Sequence, residues 1–252
     1  MRLRPLALAF ALTLVTAATA SAADAPATAA RPPLRTLTYS VSYSLQTSQD
    51  IKVSGLTGGD PHGQEAGRAA VQRGFVANDY GTLHIDVIAA PADGTLVVDA
   101  GYTGREVQQP PVRVAIFPDG TLTYDPQRQL STQARNLLPL FSRGLLAERD
   151  VSPGSSWTTP LSKPAQGMLR YHVTHREATR ATIQIAADVM VPGPNGYDEH
   201  DDGTTTYDTD MLCPLAYEVR QRIRRQITPE RLESTDSRVT ATLMSDSFAT
   251  KR

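Results

Sequence analysis

The sequence predicts an all-β fold: one strongly curved antiparallel sheet, a half-barrel or barrel-like meander, with a short helical cap around 131–146. Three observations predict it. Apolar and polar side chains alternate with period two through most of the chain, which is how a half-buried strand reads. Asp-Gly pairs stand between the alternating runs, where a glycine takes positive φ without steric cost. Only one segment adopts helical spacing.

The chain opens with Arg2 and Arg4, the apolar run from Leu6 to Val15 broken only by Thr13, and the small residues Ala20-Ser21-Ala22. This is the pattern of a signal peptide over residues 1–22, with cleavage after Ala22 and export to the periplasm or the medium. The run is shorter than the ~20 apolar residues of a membrane span, and no later segment qualifies, so the chain is expected not to span a membrane. Residues 23–35 (ADAPATAARPPLR) are rich in Ala and Pro without periodicity and read as a disordered leader. Residues 36–252 are expected to form a single antiparallel β domain.

Leu37, Tyr39, Val41, Tyr43 and Leu45 alternate with Thr, Ser and Gln and give the first strand, with two aromatic rings on its inner face. Leu83, Ile85, Val87 and Ala89 give the next. Asp93-Gly94 turns the chain into Leu96, Val98, Ala100 and Tyr102; Val112, Val114 and Ile116 lead through Asp119-Gly120 into Leu122 and Tyr124. Behind Ser131, a suitable N-cap, Ala134, Leu137, Leu138, Phe141 and Leu145 recur at helical spacing, and Gly144 can end the turn. Pro139 inside this stretch predicts two short pieces, the second beginning at the proline. Further strands follow on Leu169, Tyr171 and Val173, on Ile183 to Val191, on Tyr217, Val219, Ile223 and Ile227, and on Val239, Ala241 and Leu243. The total is about nine to eleven strands at hairpin spacing.

The full chain carries 25 basic and 26 acidic side chains; without Arg2 and Arg4 the mature charge is 23 − 26 = −3. Nothing in this balance draws it to nucleic acid. The one cysteine, Cys213, excludes an internal disulfide, and between Leu212 and Pro214 it reads as a buried, inert thiol. Stability must come from the core, and a chain of this size buries roughly 70% of its unfolded surface without staples.

No nucleophile elbow, phosphate-cradling loop or H-E-x-x-H motif is present, so no catalytic residue, metal or cofactor is assigned; an enzyme assembled from distant residues is the third reading. His172 and His175, three apart on a strand, point to opposite faces, His172 solvated and His175 partly buried. Asp198-Glu199-His200-Asp201-Asp202-Gly203 does not fit a calcium loop: Thr209 stands where the bidentate Glu belongs. Following Pro192-Gly193-Pro194-Asn195-Gly196, it reads as a long solvated hairpin loop, with a weak calcium site as the alternative. The glycine-rich segment 55–63 reads as a mobile loop. Asp119 to Asp125 and Asp202 to Asp208 echo one another (DGTLTYD, DGTTTYD), either as turns of a duplicated half or as a common way to start a strand.

Two groups of side chains invite a binding function. Tyr39, Tyr43, Tyr171 and Trp157 are the candidate ligand-binding residues on the inner face; Trp157 alternatively anchors the core against Leu137, Leu140 or Phe141. Arg220, Arg222 and Arg224 line the opposite face of their strand as a candidate anion-binding surface, unless Glu233 and Asp236 of the following strand neutralise them.

Tyr39 to Tyr43, Leu137-Leu138-Pro139-Leu140-Phe141 and Pro153-Gly154-Ser155-Ser156-Trp157 together resemble a class of exported bacterial β-proteins of unassigned activity. The plan is also similar to lipoprotein-carrier-like half-barrels, in which a curved sheet closes over helices and holds acyl chains. The inner-face Leu, Val, Ile and Tyr residues exceed what one flat sheet can cover, so the sheet must curl, pair with another sheet or fold over the helix. The expected function is noncatalytic binding of a lipid or other apolar or amphipathic small molecule on its concave side. An envelope scaffold that holds a protein partner is the alternative, and the resemblance carries no catalytic residue.

Overall fold

The computed structural model describes residues 32–51, 74–105, 107–146, 149–161, 165–194, 196–228 and 231–248. The signal-peptide segment, most of the leader and the glycine-rich segment 55–63 lie outside the described residues.

Eleven strands form one antiparallel sheet: β1 (Arg35–Ile51), β2 (Phe75–Ala89), β3 (Leu96–Gly104), β4 (Gln108–Ile116), β5 (Leu122–Tyr124), β6 (Ser156–Pro160), β7 (Gln166–Glu177), β8 (Arg180–Val191), β9 (Tyr197–Asp208), β10 (Cys213–Thr228) and β11 (Arg231–Asp246). Their spatial order is β5-β4-β3-β2-β1-β11-β10-β9-β8-β7-β6. Every strand except β6 neighbours its predecessor in sequence, and the first pairs with the last. The order is therefore a ring of consecutive strands cut once, between β5 and β6. The helical segment lies in the chain at this cut, so the sheet does not close into a barrel.

That segment comprises α1 (Thr132–Leu137) and two 3-10 turns, Leu138–Phe141 and Arg143–Leu145. Ser131 caps α1, its hydroxyl accepting from the Ala134 N–H at 3.1 Å. Pro139 lies at the start of the first 3-10 turn, where its missing N–H costs nothing. The interruption at the proline is as the sequence predicts, but the pieces after it wind as 3-10, not α. The segment packs against β1, β4, β10 and β11. A piece this short reaches strands from both halves of the sheet only because the sheet curls around it.

The core lies between this segment and the inner face. Leu37, Tyr39, Leu83, Ile85, Val114, Ile116 and Ile183 are buried there against Leu137, Leu138 and Phe141. Asp93-Gly94 and Asp119-Gly120 make the expected turns with glycine φ of 85° and 86°. The cut edges are blunted: β5 spans three residues, Pro110 and Pro111 remove N–H groups from β4, and Pro160 ends β6.

Three local readings are corrected. Asp198–Gly203 belongs to β9, paired on both sides with β8 and β10, and the preceding turn is confined to residues 192–196. The long-loop reading fails because the residues alternate in direction, Glu199 and Asp201 inward and Asp198, His200 and Asp202 outward, so the charges do not interrupt the ladder. The internal echo is consequently not one of equivalent hairpins: Gly120 sits in a turn, whereas Gly203 sits mid-strand, where a Cβ would stand 2.2 Å from the Glu218 carbonyl oxygen. His175 is exposed like His172, because a bulge between Val173 and His175 breaks the alternation.

Candidate functional site

The cut in the ring leaves a crevice of about 520 Å³ between the β4–β5 turn, the 3-10 turns and the β6–β7 edge. Pro118, Pro139, Leu145, Leu161, Leu169 and Tyr171 supply its apolar lining, while Asp119, Ser142, Arg149 and Thr159 add polar groups. The size falls within the ~300–1,000 Å³ of small-molecule sites. Gly144 sets its depth: a Cβ there would stand 2.0 Å from the Pro118 carbonyl oxygen, so only glycine lets the last 3-10 turn approach the β4–β5 turn. Asp119 is engaged within its own turn, accepting from the Thr121 N–H at 2.9 Å, and Arg149 contributes a cation to the wall.

The four candidate ligand-binding aromatics occupy different settings. Tyr171 lines the crevice, and burial pushes its hydroxyl up to about 12. Trp157 stacks on Tyr171 with ring centroids 5.3 Å apart and planes 15° from parallel; Tyr171 is thus its stacking partner, in place of the helical residues expected from sequence, because the two are paired across β6 and β7. Tyr39 is wholly buried, edge-on to Phe141 at 6.1 Å, with its hydroxyl donating to the Pro214 carbonyl at 2.8 Å. Tyr43 is half-buried further along β1, and burial raises its hydroxyl, with Arg135 opposing. Tyr39 and Tyr43 do not line the crevice.

Beyond Tyr43 the inner face turns polar. Gln221 of β10 donates from Nε2 to Glu199 Oε1 at 3.0 Å and to Asp201 Oδ2 at 3.4 Å. The Gln49 amide donates to Glu233 at 3.1 Å, and Arg231 donates to the Gln49 carbonyl oxygen at 2.6 Å. Sequence reasoning missed this cluster. Its signal was the alternation within Asp198–Asp202, which a loop has no reason to show.

On the outer face, Arg220, Arg222 and Arg224 are exposed, as their spacing predicts. Arg222 lies 3.5 Å from Asp236, and Arg220 lies 4.0 Å from Glu218, which also pairs with Arg238 at 2.8 Å. Asp236 acts as the expected neutralising partner; Glu233 does not, since it faces inward to Gln49. Arg222 and Arg224 border a groove of about 620 Å³ that also holds Asp188, Met190, Asp198 and His200. His200 Nδ1 lies 2.7 Å from Asp188, which Arg170 also contacts; these two partners hold the Asp188 carboxyl below its usual range. No serine, threonine or cysteine lines that groove, and the Ser156 hydroxyl meets a different histidine, His172, at 2.8 Å. That groove therefore joins no Ser, Thr or Cys hydroxyl or thiol to His200 and Asp188.

Among the described residues no group of three or more His, Cys, Asp and Glu is arranged to hold a metal, and no helix is long and apolar enough to cross a membrane. No family model matches the chain, and no curated protein matches it. Among solved structures it is similar to one described as lipid–protein interactions in lipovitellin, with a TM-score of 0.46 and 11% identity over 86% of this chain. The match spans 26% of that much longer chain.

Proposed function

We propose that the protein is an exported, noncatalytic binding protein that takes the chain of an apolar or amphipathic molecule, such as a lipid, into the crevice at the cut of the sheet. The observation that carries this reading is the crevice itself: about 520 Å³ with Leu145, Leu161, Leu169 and Tyr171 on its walls, in a fold whose buried inner-face residues form one core cluster with the helical segment. Apolar area removed from water supplies the affinity, at about 25 cal/mol per Å². Tyr171 provides a flat, rigid wall, held by its stack on Trp157. Arg149 suits an anionic head group. Export rests on the signal-peptide pattern of residues 1–22.

The test is mass spectrometry of natively purified protein for a retained lipid, joined to displacement of an environment-sensitive fatty-acid dye. Trp157, the sole tryptophan, supplies a second readout, since a chain against Tyr171 alters its emission. Leu169→Glu is expected to abolish displacement while leaving the circular dichroism of the sheet intact. Absence of both a retained lipid and any displacement would sink the reading.

A further inference from the structure

Glu199 and Asp201 stand two residues apart on the inner face of β9, where each raises the cost of charging the other. Two ionised carboxylates held side by side in a partly buried setting repel one another. Gln221 donates to both groups from the neighbouring strand, to Glu199 Oε1 and to Asp201 Oδ2. The second Asp201 oxygen, Oδ1, is hidden from solvent, and no protein donor reaches it. A buried acceptor left in this state has lost its water without a replacement donor. A proton on Asp201, given to Glu199, offsets that loss and removes the like-charge repulsion.

We propose that one proton shared between Glu199 and Asp201 lets both carboxyls hold the Gln221 amide and so latches β9 to β10 on the inner face, and that loss of this proton loosens the sheet locally around them. The latch goes beyond ligand binding at the crevice and does not depend on it.

Apart from Arg225, the groups packed around the pair are uncharged or acidic. From β9 itself, Tyr197 faces inward beside Glu199, and Asp202 acts on Asp201 from the outer face. From β10, Tyr217 and Arg225 lie on the inner face on either side of Gln221 and Ile223. Across from the pair, β8 presents the uncharged Ala187 and Val189. On β7, Leu169 and Gly167 oppose these, and on β11 Ser237 and Thr235 oppose Gln221 and Ile223. Burial first, and the Glu199 charge second, push Asp201 up to about 8; burial raises Glu199 as well.

In the opened chain Asp201 returns to about 4, so opening releases a proton anywhere between about pH 4 and about pH 8. Stability of the latch is greatest in acid, falls as pH rises through this window, and levels off above it.

Native-state hydrogen exchange between pH 5 and 9, corrected for the intrinsic pH dependence of exchange, tests the proposal. In the wild-type protein, protection of amides in 197–201 and 221–225 should fall by up to about tenfold per pH unit to pH 8 and then level, with β2 and β3 unaffected. Asp201→Asn, which keeps the amide-sized side chain without the ionisation, should flatten the profile, and Glu199→Gln should lower the pH at which it breaks. A flat wild-type profile, or an Asp201→Asn profile parallel to it, overturns the proposal. If the variants do not fold, the carboxyl carbon shift of Asp201 in the wild-type protein decides: titration near 8 supports the latch, and titration near 4 overturns it.

Discussion

The guanidinium of Arg35 grips the carboxylate of Asp246 with two parallel hydrogen bonds, Nε to Oδ1 at 3.1 Å and Nη2 to Oδ2 at 2.6 Å. The two residues are 211 positions apart, and their side chains are only 10% and 3% exposed. Arg35 also donates to the Met211 carbonyl at 2.7 Å and lies 5.1 Å from the centre of the Phe248 ring. This pair ties β1 to β11, the join on which both halves of the sheet depend.

Removing one partner leaves the other charged and buried, so Arg35→Ala or Asp246→Ala should each cost about 3–5 kcal/mol in urea unfolding. Replacing both together, as Arg35→Met with Asp246→Leu, should cost less than the two single changes summed. Additive losses in such a cycle would show that the pair does not act as a unit.

Cys213 lies against the same guanidinium, its sulfur 3.2 Å from Arg35 Nη2. Burial raises the thiol, Arg35 opposes, and the outcome is a value pushed up to about 11. A thiol that is both protonated and enclosed should react with a chromogenic disulfide only as fast as the protein unfolds. Rapid labelling of the native chain at pH 8 would contradict this.

Ala178 holds φ at 44° in the turn between β7 and β8, a conformation that strains any residue with a Cβ. Ala178→Gly should therefore stabilise the protein by about 1 kcal/mol, offset in part by the greater freedom of glycine in the unfolded chain. The midpoint of urea unfolding measures it; a lower midpoint would mean the turn gains more from the methyl group than the strain costs.

Much of the architecture was legible because alternation is a local property. Leu37, Tyr39 and Val41 point inward for the same reason wherever the strand sits, and the Asp-Gly pairs at 93–94 and 119–120 mark turns through their own backbone preferences. Ser131 and Pro139 likewise announced where the helical segment starts and breaks. Legibility failed where two strong local signals met. The turn-forming residues at 192–196 drew the acidic run after them into a loop, although Asp198 to Asp202 keeps the period of a strand.

The candidate site was less legible. Tyr171 could be named from its place on an inner face, but Tyr39 carries the same signal and lies deep in the core. What separates them is distance from the cut between β5 and β6, which no residue near either tyrosine encodes. The same holds for Trp157, whose partner is set by the pairing of β6 with β7.

The sequence by itself determined the class of fold, the direction of most side chains and the position of the one helical interruption, since each depends on neighbours within a few residues. Only the tertiary structure decided that the strands form a ring left open at one place, that Arg35 meets Asp246, and that Gln221 donates to both Glu199 and Asp201. These are consequences of pairing between segments far apart in the chain. Burial of a charge is a property of the enclosed space, and that space exists only once the sheet has curled.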